Sequence, residues 1–170
     1  MRIRRHIPSA LRRFGRDESG LALVEFAICL PLMILVFGMI IEGSRLMWSF
    51  QNSISGVRDA TRYLARITPA DVCQPGGTTF DDQADRLTAI IRDRIGTGES
   101  ILPRGVDLVD VTATLDCVVG AYRISPAPVA QLTARVEITH PFASLFAFAG
   151  GGVEDSVIVD VSDEARIFGL

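Results

Sequence analysis

Glu25 is the side chain that asks most of its surroundings. It stands at the fifth position of an apolar run that opens at Leu21, directly after Gly20, and Phe26 to Ile41 follows as 16 residues without a charge. A carboxylate inside a membrane helix costs a few kcal/mol on insertion scales. Glu25 therefore needs either the headgroup layer, about a turn away, or a partner. Cys73 and Cys117 are the next residues with chemistry to offer. Both lie beyond the run, and in an oxidising compartment a bridge between them would close a long loop and add roughly 3–4 kcal/mol. The alternative is two unpaired thiols. Cys29 lies within the run, with Ile28 before it where a lipid-attachment site would need a small residue, so it reads as a buried free thiol.

The remaining reactive residues do not form a catalytic set. His6 and His140 fall on opposite sides of the run, and no group of His, Cys and carboxylates has metal-ligand spacing. Gly150-Gly151-Gly152 lacks the Lys and Ser/Thr of a phosphate loop and reads as a turn. No Gly-x-Ser-x-Gly elbow occurs. Asp81, Asp82 and Asp85 open a helix, where acids favour the dipole without any cation. The expectation is a non-enzyme with no cofactor, no metal and no small-molecule substrate.

These residues must be placed by the elements around them. The chain has 170 residues, 48% of them hydrophobic, and the apolar excess is concentrated between Leu21 and Ile41. A helix of that length covers roughly 31 Å, about one hydrocarbon core. Pro31 should kink it without ending it. No second run of this length exists, which argues against a multi-span transporter or channel. Past the run, Leu46, Phe50, Ile54, Val57, Thr61 and Leu64 recur at helical steps, with Arg45, Arg58, Asp59, Arg62 and Arg66 on other faces. Trp48 sits where an interfacial aromatic would, and Thr68-Pro69 supplies a stop. One helix from 21 to about 67 is therefore expected, apolar all round in its first half and one-sided in its second.

Residues 69–78 read as a loop. A second helix is expected from about 80 to 95, with a capping box from Thr79 to Asp82, a stripe of Ala84, Leu87, Ile91 and Ile95, and Gly96 and Gly98 at its end. Three alternating runs then predict strands: Val109, Val111, Ala113, Leu115; Leu132, Ala134, Val136, Ile138; and Val157, Val159, Val161. Separated by Gly- and Pro-containing loops, they predict a small antiparallel sheet. The apolar stretch 141–149 is too short to span a membrane. It fits a short core helix, a loop packed under the sheet or a contact surface.

Charge sets the topology. Residues 1–20 hold six Arg against Asp17 and Glu18, net +4, and residues 21–170 hold eleven Arg against eighteen acids, net −7. A basic segment before a span stays cytoplasmic, so residues from Glu42 onward should lie outside. The acidic outer part argues against nucleic acid as a partner.

The Gly20 junction resembles a type IV prepilin: an Arg-rich leader ending in Gly, an immediate apolar run, and Glu at its fifth position. The leader's Asp-Glu-Ser-Gly, the following Val24-Glu25-Phe26-Ala27 and Leu30-Pro31-Leu32, the stretch Phe37 to Arg45, Val57 to Tyr63, and His140-Pro141-Phe142 narrow the likeness to the TadE-like pseudopilins of the tight-adherence (Tad/Flp) pilus system. The match is best over residues 12–66, thin between 70 and 130, and the family's closing motif is not clearly kept at Glu164-Ala165-Arg166. The resemblance implies cutting between Gly20 and Leu21 by a prepilin peptidase, which makes Glu25 residue five of the mature chain. The new α-amino group of Leu21 would neutralise Glu25, within or between subunits, because a matched pair in apolar surroundings costs far less than a lone charge. Phe26 belongs to the same motif.

The expected fold class is α+β. A leader occupies 1–20, a transmembrane helix segment 21–41, an amphipathic extension 42–67, and an exported α+β domain 68–170. The expected function is that of a minor pilin-like component in pilus biogenesis, held in the bacterial inner membrane with its N-terminus cytoplasmic. It would act by packing through the 21–41 surface and the 46–64 seam. Its expected partners are the prepilin peptidase, other pilins or pseudopilins, the assembly platform and the lipid bilayer. Glu42 and Arg45, three apart at the outer boundary, would pair locally or between subunits. Two other readings stay open: an uncleaved single-span anchored binding protein, and a minor pseudopilin of type II secretion.

Overall fold

The computed structural model of the chain describes residues 19–75, 80–93, 98–148, 150 and 154–169. The leader residues 1–18, Thr79, Ile95, Gly96, Gly151 and Gly152 lie outside them.

The element order is α1 (Ser19–Ile67), a 3-10 turn (Asp81–Gln83), α2 (Ala84–Arg92), β1 (Val106–Val118), β2 (Ala127–Thr139), α3 (Ala143–Phe148) and β3 (Ser156–Arg166). The described residues fall into two units, divided between Ile40 and Ile41 within α1.

The first unit is helical from Ser19, and the helix continues through Pro31. Its apolar side chains are open on all sides: Leu21, Leu23, Phe26, Ile28 and Leu32 are each at least 60% exposed. α1 contains an 18-residue window of mean hydropathy 2.6, of which 6% is buried, so it is long and apolar enough to cross a membrane.

The second unit is an α+β domain. The remainder of α1 buries one face in it. Ser49, Ser53, Val57, Ala60, Thr61 and Leu64 are fully or almost fully buried. The helix stops at Ile67, where Thr68 N–H still donates to Leu64 O at 3.0 Å and Pro69 has no N–H to continue the ladder. α2 crosses α1 at Gly56: a Cβ there would lie 2.8 Å from Ile91 O, so only glycine permits the approach. α2 is shorter than the sequence stripe implies, because Asp93 turns extended and bridges to Ser100. Leu87, Ile90 and Ile91 form its buried side, whereas Ala84 is exposed.

The sheet is antiparallel in the order β1-β2-β3. The central strand buries Ala130, Leu132, Ala134, Val136 and Ile138, all at 2% exposure or less. Val157, Val159 and Val161 of β3 share that face, as do Val106, Leu108, Val111, Ala113 and Leu115 of β1. Val109 departs from the expected alternation. Leu108 pairs with Val136 and Asp110 with Arg135, so Val109 is the extra residue of a bulge, and it is 52% exposed. One unpaired residue reverses the inward parity along the rest of the strand. One core joins α1, α2 and the sheet through Val57, Leu64, Leu87, Ile91, Leu132 and Val136. Ile167, just after β3, is buried in the same core, with its N–H donating to Pro128 O at 2.9 Å.

Candidate functional site

Gly20 and Leu21 lie in the first turn of α1, and neither is covered. A Cβ at Gly20 would meet nothing within 4 Å, so the backbone there is open to an approaching molecule. Leu21 is 70% exposed. Glu25 is exposed one turn further on, on the same helix face as Leu21 because four residues separate them. It is the only ionisable carboxylate between Leu21 and Ile41, and Phe26 stands beside it, 60% exposed.

The second assembly of polar groups lies in the α+β unit at Glu42. This carboxylate is 9% exposed, which is costly for a charge unless it is paired. Three groups meet there. His140 Nδ1 lies 2.9 Å from Glu42 Oε1, and Arg45 NH1 donates to Glu42 Oε2 at 3.4 Å. Arg45 NH2 donates to Arg104 O at 3.0 Å. A carboxylate only accepts, so the short contact puts the imidazole proton on Nδ1. The Glu42–Arg45 pair is local, at i and i+3, and His140 joins it from 98 residues away. Thr139 N–H donates to Gly105 O and His140 N–H to Asp155 O, both at 2.7 Å, so the backbone around the imidazole is held from two sides. The cluster ties α1 to the start of β1 and the end of β2.

Cys73 and Cys117 form a disulfide with a Cα–Cα distance of 5.8 Å across 44 residues of chain, joining the loop after α1 to the end of β1. Cys29 is a free, exposed thiol.

The 46–64 seam has a different occupant from the one expected. Val57, Thr61 and Leu64 are fully buried, and Phe50 and Ile54 pack half-buried against the same core. The chain's own sheet and α2 fill this face. Of these residues Leu46 alone, at 37% exposure, stays on the surface; the next two residues of the helix, Met47 and Trp48, are 58% and 60% exposed. The expected intersubunit seam is therefore mainly a folding seam, because the strands that follow supply the apolar face it needs.

Sequence reasoning missed the imidazole at Glu42 and the small-residue side of α1. The latter had a signal: Ser49, Ser53, Gly56 and Ala60 recur at steps of four, three and four. Ser53 and Thr61 remove the cost of their buried hydroxyls by donating to Ser49 O and Val57 O, at 2.9 and 2.8 Å.

The described residues contain no group of three or more His, Cys, Asp or Glu arranged to hold a metal. A hollow of about 120 Å³ between α2 and β1 is lined by Phe80, Ala84, Leu87, Val111, Thr112 and Ala113, which offer one hydroxyl and no ionisable side chain.

Comparison with known proteins finds no match among curated proteins and none among solved structures. A family match does exist, and it covers the exposed apolar helix, Glu25, Glu42 and most of the folding seam. Residues 20–62 match the family model described as TadE-like protein, and over that segment the chain is similar to that family.

Proposed function

We propose that this chain is a minor pilin-like component in the biogenesis of a Tad/Flp-type pilus, acting by packing and not by catalysis. The observation that carries the reading is the exposed apolar helix with a single acid at Glu25, inside the segment matched to the TadE-like family. In this reading the chain is stored in the inner membrane through residues 21–41, with the leader in the cytoplasm and the α+β unit outside. A prepilin peptidase cuts between Gly20 and Leu21. The freed amine and Glu25 then neutralise each other within a subunit or with a neighbour, which lets the helix leave the bilayer or dock against another pilin helix. Its partners are other pilins or pseudopilins and the assembly platform. With most of the 46–64 seam filled internally, contact falls to the 21–41 surface and to Leu46, Met47 and Trp48. The Glu42–Arg45–His140 cluster holds the start of the domain's helix against the sheet.

The test is complementation of a strain lacking the gene. Glu25→Leu should leave leader removal intact and reduce surface pili at least tenfold. Full piliation by Glu25→Leu would remove its role in assembly.

A further inference from the structure

The α+β unit carries two open faces of opposite charge. α1 turns its core side toward the sheet, and Arg58, Arg62 and Arg66 lie on the opposite side, one turn apart and exposed. With Asp59, that outer helix face has a net charge of +2. Among the described residues, none of these arginines forms an ion pair with an acid of the chain. The outer face of the sheet, turned away from the core, holds Asp107, Asp110, Asp116, Glu137, Asp160 and Glu164 against Arg135 and Arg166, net −4. Arg135 is already engaged by Asp160 at 3.0 Å, and its guanidinium pKa is raised by that bond and by the charges of Asp160 and Asp110. Asp110 shares Arg135 with Asp160, and among the described residues Glu164 forms no ion pair, so the face stays net negative.

The dimensions also match. Arg58 to Arg66 covers about 12 Å along a helix. The row of Asp110 and Asp160 and the row of Glu164 lie four residues apart along the strands, about 13 Å.

We propose that the outer helix face of one copy docks on the outer sheet face of a second copy of this chain. One chain presents both members of the complementary pair, on opposite sides, so each docked copy leaves a free face of each sign. Such a contact is head-to-tail and does not close on itself unless its rotation forms a ring. This inference rests on the packing role proposed above and names the surfaces that role would use.

The experiment is cross-linking of the full chain in its own membrane, in a Cys29→Ala background. Ser55→Cys marks the helix face and Ser162→Cys the sheet face, and a short bis-maleimide joins them. The double variant should give a ladder of dimer, trimer and longer species, while each single variant gives none. Arg58→Glu, Arg62→Glu and Arg66→Glu together should cut the ladder at least tenfold, and adding Asp110→Arg with Glu164→Arg should restore it. That restoration would not occur if the triple variant had merely misfolded. No ladder, a ladder from one single variant, a cross-link only to a different protein, or a ladder indifferent to charge reversal would each overturn the proposal. Normal piliation beside a missing ladder overturns this contact alone, whereas loss of the pilin role is read separately from Glu25→Leu.

Discussion

The two halves of α1 are helix of one chain with opposite relations to their surroundings. Between Leu21 and Ile40 the helix is apolar on every side, and its large side chains stand open. Between Ser49 and Arg66 it is two-faced, with Val57, Ala60, Thr61 and Leu64 at zero exposure on one side and Arg58, Arg62 and Arg66 on the other. Each half obtains its stability from a different source. Backbone hydrogen bonds hold both, but only the second half buries its apolar surface within the chain. The first half leaves its apolar surface open and is long and apolar enough to cross a membrane. Substitutions in the second half should therefore register in the folding of the domain, and those in the first should register in assembly.

Four variants put that division under strain, each read as a shift in urea unfolding of the detergent-solubilised full chain. Replacing both Cys73 and Cys117 by Ser releases a loop across 44 residues and should cost about 4 kcal/mol. Leu64→Ala opens a cavity in the core that α1 shares with the sheet and should cost about 3 kcal/mol, without effect on leader removal. Gly56→Ala drives a methyl group against Ile91 O and should cost about 2 kcal/mol. Leu32→Ala, in the exposed half, should shift domain unfolding by less than about 0.5 kcal/mol. A Leu32→Ala effect as large as that of Leu64→Ala would erase the distinction between the halves.

Much of this was legible in the residues because it depends on local period. The long helix, its change of character and the three alternating strands follow from spacings of 3.6 and 2. What escaped depends on pairing between distant segments. Val109 looks like an inward residue until the partner strand shows that Leu108 and Asp110 occupy adjacent registers. The seam at Phe50 to Leu64 reads as an interaction face, yet nothing local says whether the partner is another subunit or the sheet that begins at Val106. Glu42 and Arg45 pair at helical spacing, but His140 reaches them only because β2 ends beside α1. At the candidate processing site the legibility is of another kind: Gly20, Leu21 and Glu25 carry a motif, and their open placement on the first turns of α1 is compatible with it.

Whether the chain is processed as proposed is read from the N-terminus of the membrane-extracted protein. Intact mass should be determined from strains with and without the prepilin peptidase. A processed pilin-like subunit should begin at Leu21 only where the peptidase is present, with Gly20→Ala blocking that change. A chain that keeps residues 1–20 in both strains would contradict it and would make residues 21–41 a fixed anchor.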